Sequence, residues 1–325
     1  MPIFNQNIRH TNNPRKQSLI EKIKRGKVVP LISNGVIVDL VLDGYKNLTK
    51  GYANHIKYTL ENDDELLQMA KFRIISKEWD NWDLKSEYLM YVKNHIYQLA
   101  AASGIDEDTL EEAAEEVDDL TVSVFAQRLG YPQFTGQKDP LLILADLPLP
   151  IYLTTSPYTF IEAALEKAGK QPHPEICRWH TGLESLPSVF DSSYKPSVSQ
   201  PIVYHLHGLD TYPDSLVLTE DDYLRYLVNI SKEDQNDLVP KRIRQAMSDS
   251  ALMLLGYNLP SWSFRVLFWG LIRSASITHK GIFVLELEGS ETKKKYLSQY
   301  LKREANFDAH WMNIADYVQD FQGVK

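Results

Sequence analysis

Short apolar runs alternate with helical patterns along most of the chain, and one long helical stretch interrupts this alternation. Residues 27–33 (KVVPLIS) form a compact apolar run that is typical of a buried parallel strand and ends at Asn34-Gly35. A basic segment at 17–25, closed by Gly26, predicts a short helix before this strand. This part of the chain is therefore expected to contain a helix, a buried strand and a turn.

The long helical stretch runs from about residue 62 to residue 129. An apolar stripe in its first part comprises Leu66, Leu67, Ala70 and Ile74. Residues 86–102 repeat the same spacing over a longer element, and the acidic segment 106–119 follows with a thin apolar face. The pattern predicts several consecutive helices between the first strand and the next one.

Strands and helices alternate again after residue 139. The runs LLILAD and PIYLTTSP (150–157) predict a strand that ends in small polar residues and a proline. Further strands are predicted at 201–208, 250–257 and 281–289, and helices follow the four strands at 158–170, 219–227, 262–272 and 292–305. Thr219 and Asp222 suit a capping box at the start of the helix at 219–227.

Four apolar strands, each followed by a helix, predict an α/β fold with a doubly wound parallel sheet. Such sheets bind ligands at the carboxyl ends of their strands, beside the switch in strand order. We therefore expect the turns after the strands to converge on one crevice. These turns are Ser33-Asn34-Gly35, Thr154-Thr155-Ser156, residues 205–210 and Gly256-Tyr257-Asn258.

The position of the long helical stretch, between the first strand and the second, predicts the division of the chain. An N-terminal helical segment is expected at 1–26, and the sheet core at 27–49 and 139–325. Residues 50–138 are expected to form a helical insertion that caps the crevice.

Composition and charge narrow the function classes. The chain has 325 residues, of which 43% are hydrophobic and 24% charged, which excludes a disordered, collagen-like or disulfide-scaffold protein. The net charge is −8, but residues 106–119 hold nine acids and no base, so the rest of the chain sums to +1. A pocket for a phosphate-bearing ligand is therefore compatible with this composition, whereas direct nucleic-acid binding is not predicted.

The chain contains a single cysteine, Cys177, which excludes an intramolecular disulfide and a four-cysteine zinc site. Cys177 lies in EICRWH, a short strand or loop, and is expected to be a packing residue. The first residues have no apolar signal region, and no stretch approaches the ~18–20 apolar residues of a membrane span. We therefore expect a cytoplasmic protein without membrane contact.

His205 and His207 are the sharpest local feature of the sequence. Two residues separated by one position lie on the same face of a strand, so both imidazoles are expected to point the same way. Three interpretations stay open: a metal site, which needs a third ligand that no motif supplies; two structural histidines; or a general base facing the crevice.

The TTSP turn also has two interpretations. Its hydroxyls suit hydrogen bonds to a ribose or phosphate, and they equally suit a cap for the helix that begins near Pro157. Gly35 and Gly256 permit a close approach of the backbone to a ligand. Ser156 lacks the flanking glycines of a hydrolase nucleophile elbow.

Four blocks occur together and in a recognisable order. They read VVPLISNG, YLTTSPYTFIEAAL, VYHLHGLDTYPDSLVLTEDDYLRYL and LMLLGYNLPSWSFRVLF. Together they resemble the SIR2-like domain family, bacterial relatives of sirtuins that act as NAD-consuming effectors in antiphage defence. The resemblance covers residues 27–288 and implies a Rossmann-like sheet that binds NAD, with a helical subdomain over the crevice.

The resemblance also implies an activity and its residues. Active members cleave the nicotinamide–ribose bond of NAD, to give nicotinamide and ADP-ribose or a cyclised form, without a metal. It assigns catalysis to His207, as the general base, and to Ser156. It assigns cofactor binding to Ser33, Asn34, Gly35, Thr154, Thr155, Tyr158, Gly208, Gly256, Tyr257 and Arg265.

The chain departs from the family pattern at five positions. Ser33 replaces a glycine of the first loop, and Ile37 stands where a serine is usual. Ser156 replaces the catalytic asparagine, and Tyr158 and Ser261 replace aspartates. A catalytically weak subunit that binds NAD or ADP-ribose and regulates a defence complex is therefore the alternative to an active NAD-cleaving effector. Sirtuin deacylase activity is not expected, since it accompanies a four-cysteine zinc module.

NAD depletion is toxic, and no sensor domain is evident, so we expect a separate protein to control the activity in abortive infection. In related systems this partner is an Argonaute-like protein, a HerA-type ATPase or a nucleotide-sensing pyrophosphatase-like subunit, and a homo- or hetero-oligomer is expected. The acids at 106–119 are expected to point away from the NAD site, as a solvated helix face or a docking surface for a basic partner.

Overall fold

Seven short strands form one parallel sheet in the computed structural model, which describes residues 14–60, 65–231, 238–272, 281–287 and 290–325. The strands are Val28–Ile32 (β1), Ile151–Thr154 (β2), His173–Ile176 (β3), Ile202–His205 (β4), Ala251–Leu255 (β5), Gly281–Val284 (β6) and Phe307–His310 (β7). Their order across the sheet is β3-β4-β2-β1-β5-β6-β7, and every neighbouring pair is parallel. The predicted doubly wound α/β fold is confirmed.

The helices of the first half of the chain surround one face of this sheet. They are Pro14–Lys24 (α1), Asn34–Val41 (α2), Tyr45–His55 (α3), Leu66–Lys77 (α4), Asn81–Ala102 (α5), Glu107–Glu115 (α6), Val122–Arg128 (α7), Pro140–Asp146 (α8) and Phe160–Lys167 (α9). The later helices are Glu220–Ile230 (α10), Lys241–Asp249 (α11), Trp262–Leu267 (α12), Glu291–Ala305 (α13) and Ile314–Gln319 (α14). A π-helical turn, Phe268–Ile272, continues α12.

Alternate strand residues enter two different hydrophobic cores, because successive side chains of a strand point to opposite faces. Val28 and Ile32 of β1 belong to the first core, while Val29 and Leu31 belong to the second. The first core continues without a break into α3 to α7, and the second is completed by α10 to α13. The helices that follow β1 therefore share a core with one face of the sheet.

Three sequence predictions need correction. The run LLILAD is not a strand but α8, because Pro140 occupies its first turn and the Asp139 carboxylate caps it by accepting the Leu141 amide at 2.9 Å. In α4 the buried residues are Met69 and Ala70, whereas Leu66, Leu67 and Ile74 of the expected stripe are only partly buried. The edge strand β7 was not predicted, and β3 was only touched by the expectation of a short strand or loop at 175–180, since the sequences HPEI and FDAH form no apolar run.

Other predictions agree closely with the structure. The predicted capping box is present, with the Thr219 hydroxyl accepting the Asp222 amide and the Asp222 carboxylate accepting the Thr219 amide. Cys177 is fully buried directly after β3, and burial raises the pKa of its thiol to about 11, as suits a packing residue. The predicted boundary at residue 50 lies inside α3, and residues 1–13 of the predicted N-terminal segment lie outside the described residues.

The switch in strand order lies between β1 and β5, and Gly256 makes it possible for the turns after these strands to touch. Gly256 has a φ of +78°, a region that side-chain-bearing residues rarely adopt. A Cβ atom there would lie 2.0 Å from Cγ2 of Val36 and 2.8 Å from Oγ of Ser33. Only a glycine therefore lets the first turn of α2 pack on the end of β5.

We predict that Gly256→Ala destabilises the protein by at least about 2 kcal/mol more than Gly169→Ala. Gly169 is a matched control, because its φ is +81° and an added Cβ meets no described atom within 4 Å. Both variants carry a backbone strain of about 1 kcal/mol, and only Gly256→Ala adds a clash. Urea unfolding of the two variants measures the difference, and equal free energies of unfolding would contradict the steric account.

Candidate functional site

A cavity of about 690 Å³ lies at the carboxyl ends of the strands, where the doubly wound fold predicts a ligand site. All four of the turns singled out from the sequence contribute to its lining, through Ser33, Thr155, His207 and Gly256 among others. The predicted convergence of these turns on one crevice is confirmed. Tyr45 and Thr49 of α3 and Tyr88 of α5 close the cavity from the side of the helices that follow β1.

Hydrogen bonds from Ser33 join the turn after β1 to the turn after β5. The Ser33 hydroxyl donates to the Gly256 carbonyl at 2.9 Å and accepts the Val36 amide at 3.2 Å, so it caps α2. The Ser33 amide donates to the Leu255 carbonyl at 3.0 Å. Ser33 therefore has a structural role here, and its amide is not free to bind a phosphate.

The turn after β2 is joined to β1 in the same way. The Thr154 hydroxyl donates to the Ile32 carbonyl at 2.9 Å and accepts the Ser156 amide at 2.9 Å. The Thr155 hydroxyl accepts the Asn34 amide at 3.0 Å. Gly35 is the second residue of α2, where a backbone amide has no acceptor within the helix, so of Ser33, Asn34 and Gly35 only the last keeps its amide for a ligand.

His205 is part of a buried ion pair beneath the cavity. Its Nε2 donates to Oε1 of Glu162 at 2.7 Å, and its Nδ1 donates to the Ser156 carbonyl at 2.7 Å. Burial lowers the pKa of His205, but the Glu162 carboxylate and the Ser156 carbonyl outweigh this effect and raise it. Both partners can accept hydrogen bonds from the ring, and this arrangement favours the protonated imidazole.

His207 has the opposite environment. It lines the cavity, and the edges of Tyr223 and Tyr226 face its ring, with centroid distances of 5.2 and 5.4 Å. Burial lowers the pKa of His207 to about 3, so the ring is neutral at physiological pH. The strand ends at His205, and the two histidines have different neighbours, contrary to the expectation that both imidazoles point the same way.

Two cavity-lining residues each have a buried side-chain atom without a hydrogen-bond partner within the described part of the chain. The atoms are Oδ1 of Asn34 and Nε2 of His207. Leaving such atoms unpaired in the interior costs about 1–3 kcal/mol each. A ligand with several hydroxyl or amide groups would satisfy them, so these atoms mark its expected contacts.

The mouth of the cavity carries more acids than bases. Asp39, Glu65 and Glu286 are exposed lining residues, and the described lining contains one lysine, Lys46. Burial of part of the Asp39 side chain raises its pKa, although its carboxylate accepts the Tyr45 amide at 2.7 Å. This rim favours a ligand that carries a positive charge of its own over a purely anionic one.

Buried hydrogen bonds hold the helices over the cavity to the sheet. The Asp210 carboxylate, in the turn after β4, accepts both the amide of Ser123 in α7, at 2.6 Å, and its hydroxyl, at 2.7 Å. Lys85 of α5 forms a buried ion pair with Asp222 of α10 at 3.4 Å. The acids of 106–119 are absent from the described lining of the cavity, and most of them are exposed on and around α6.

Seven of the twelve residues proposed from the sequence line the cavity: Ser33, Asn34, Gly35, Thr155, His207, Gly256 and Tyr257. Thr154, Ser156, Tyr158, Gly208 and Arg265 are not among the described lining residues. Ser156 and Tyr158 are fully buried beside it, and Arg265 is exposed on α12. Gly208 has a φ of +86°, and a Cβ there would lie 2.2 Å from the Ser215 carbonyl, so it serves the backbone turn.

Sequence reasoning missed several lining residues, namely Tyr45, Thr49, Tyr88 and Tyr223. The only available signal was for Tyr223, which follows the predicted capping box at the start of α10. The others lie on helices whose placement over the sheet the pattern does not reveal.

Two further observations concern metal sites and membrane spans in the described residues. They contain no group of three or more His, Cys, Asp or Glu residues that could hold a metal ion. None of the helices described is long and apolar enough to cross a membrane.

We predict that His207→Gln makes the free energy of unfolding less sensitive to acid. Below pH 6.5 the unfolded chain binds a proton at His207 that the folded protein does not, so falling pH favours unfolding. At pH 5 this contribution is about 2 kcal/mol. Urea unfolding at pH 7.5 and pH 5 measures it as the difference between wild type and His207→Gln.

Tyr223→Phe is the control, since it changes the same aromatic cluster without removing the imidazole. It should keep the pH dependence of the wild type. An equal loss of stability on acidification in wild type and His207→Gln would show that His207 is not held neutral.

Comparison with known proteins adds one match. Residues 150–308 match the family model of the SIR2-like domain, a segment that contains β2 to β6 and the turns carrying Thr155, His207 and Gly256. No curated protein matches the chain. Over residues 150–308 the chain is therefore similar to SIR2-like domains, a family that includes NAD-dependent enzymes.

Proposed function

We propose that the protein cleaves the nicotinamide–ribose bond of NAD by hydrolysis. The observation that carries this proposal is His207, a neutral and buried imidazole that lines the cavity and whose Nε2 has no partner in the described residues. The cavity occupies the ligand-binding edge of a sheet that matches a family whose members bind NAD.

In the proposed reaction, the bond between C1′ of the ribose and the ring nitrogen of nicotinamide breaks, and its electron pair stays on nicotinamide, which leaves as a neutral ring. A water oxygen forms the new bond to C1′. The Nε2 atom of His207 accepts a hydrogen bond from this water. The new bond to C1′ makes the water oxygen strongly acidic, so its proton moves to His207 late in the step, and the weakly basic ring then releases it to solvent. The products are nicotinamide, ADP-ribose and one proton.

The walls of the cavity suit this chemistry because they limit access of other water to the reacting carbon. Tyr88 and Tyr257 are buried lining residues, and Tyr223 lies against the ring of His207. The helices α3 to α5 cover this side of the sheet. Aromatic rings also offer flat surfaces against which a nicotinamide ring packs.

The charge at the mouth supports NAD better than a ligand that carries only phosphates. NAD combines an anionic pyrophosphate with a cationic nicotinamide ring, so the acids Asp39, Glu65 and Glu286 do not oppose the whole ligand. Lys46 is the lining cation available to the pyrophosphate among the residues described. Loss of the positive ring charge in the products reduces this attraction and favours their release.

We predict that the purified protein, alone or with the proteins that co-purify with it, releases nicotinamide from NAD. His207→Gln should lower the rate at least about 100-fold, because it removes the proton acceptor. His173→Gln is the control, since that ring packs on Tyr194 and is not among the described cavity residues. Chromatographic quantification of nicotinamide measures the rate.

The pH profile gives a second readout. A histidine of ordinary pKa would lose about three quarters of its neutral form at pH 6. Because burial lowers the pKa of His207 to about 3, its titration should not reduce the rate between pH 8 and pH 6. Full activity of His207→Gln would refute the residue assignment. ADP-ribose binding without turnover in any preparation would instead support a regulatory, nucleotide-binding subunit.

We also propose that the protein acts as an effector in antiphage defence and that assembly with another protein, or with further copies of itself, controls its activity. The support is chemical: uncontrolled NAD hydrolysis depletes a metabolite that the cell needs. We expect native mass spectrometry of active preparations to show an assembly. A stable monomer with full NAD-cleaving activity would contradict this proposal.

A further inference from the structure

Asn34 is the first residue of α2 and lines the cavity next to the end of β1. Its backbone amide donates to the Thr155 hydroxyl at 3.0 Å, which fixes the start of the helix against the turn after β2. The side-chain oxygen, Oδ1, is buried and has no partner among the described residues. The backbone of Asn34 is therefore held in place, whereas its side-chain oxygen has no protein partner and is left for a ligand.

Ser156, which the family resemblance marks as catalytic, has the opposite character. It is fully buried and is not one of the described lining residues. Its amide donates to Thr154, its hydroxyl accepts the Tyr158 amide at 3.3 Å, and its carbonyl accepts from His205. The amide, the carbonyl and the hydroxyl oxygen of Ser156 each have a protein partner, so the residue holds the turn in place, away from the cavity lining.

Asn34 and His207 follow strands that lie close together in the sheet. Asn34 follows β1 and His207 follows β4, and a single strand, β2, separates these two strands. Neighbouring strands lie about 4.8 Å apart, so β1 and β4 are separated by about 10 Å. Both residues line the same cavity, whose volume of about 690 Å³ is large enough to hold a ribose.

The chemistry of the unpaired atoms indicates what the ligand must offer. A side-chain amide oxygen only accepts hydrogen bonds, so Oδ1 of Asn34 requires a donor from the ligand. The vicinal hydroxyls of a ribose can donate to Asn34 on one side and interact with His207 on the other.

We propose that Asn34, and not Ser156, contacts the ribose that carries nicotinamide, by accepting a hydrogen bond from one of its hydroxyls. This inference rests on the proposed NAD-cleaving function. It assigns to the turn after β1 a substrate contact that the family resemblance implies for the turn after β2.

The test compares Asn34→Ala, Asn34→Asp and Ser156→Ala by calorimetric titration of the full chain with ADP-ribose and with AMP, which lacks the second ribose. Asn34→Ala should weaken ADP-ribose binding about 3- to 10-fold, the effect of one lost hydrogen bond, and should leave AMP binding within twofold. Asn34→Asp keeps an acceptor oxygen and should bind ADP-ribose more tightly than Asn34→Ala. An acid is also favourable in the first turn of a helix.

Ser156→Ala should bind ADP-ribose within twofold of wild type but unfold at a lower temperature, since it loses the hydroxyl that accepts the Tyr158 amide. Thermal unfolding of every variant verifies that the titrated protein is folded.

The inference would be overturned if Asn34→Ala bound ADP-ribose as tightly as the wild type, or if Ser156→Ala lost more affinity than Asn34→Ala. It would also be overturned if Asn34→Asp bound ADP-ribose no better than Asn34→Ala, or if Asn34→Ala lost equal affinity for AMP and ADP-ribose. Failure of the wild type to bind ADP-ribose or to cleave NAD would refute the proposed function instead. Binding and turnover by the wild type therefore separate the two questions.

Discussion

The turns that follow β1, β2, β4 and β5 are tied together by hydrogen bonds, and the site depends on this network. Ser33 donates to the Gly256 carbonyl, the Asn34 amide donates to Thr155, and His205 donates to the Ser156 carbonyl. Buried polar groups at strand ends have no ladder partner, so each must find one in a neighbouring turn. This requirement fixes the positions of the turns relative to one another before any ligand binds.

Polar atoms that lie outside this network are the ones available to a ligand. His205 and His207 are two positions apart, yet the first pairs with Glu162 and the second is neutral among tyrosines. The difference arises because a carboxylate partner stabilises the charged imidazole, whereas burial without a partner destabilises it. One histidine therefore supports the turn after β2, and the other is available to a substrate.

The helices inserted after β1 complete the cavity because buried polar contacts hold them to the sheet. The Asp210 carboxylate accepts two hydrogen bonds from Ser123, and Lys85 pairs with Asp222 in an environment where burial lowers the pKa of the lysine. Removing one partner of a buried ion pair costs about 3–5 kcal/mol. Such contacts fix the orientation of these helices, and with it the tyrosines that line the cavity.

The sequence by itself determined the doubly wound sheet and the convergence of its turns, because apolar strand runs and the Thr219–Asp222 capping box are local signals. It identified seven cavity residues correctly, including His207. It did not reveal the edge strands β3 and β7, nor that Ser156 is enclosed by Thr154, Tyr158 and His205. Only the tertiary structure decided which polar groups are paired and which face the cavity, because hydrogen-bond partners and burial depend on residues far apart in the chain.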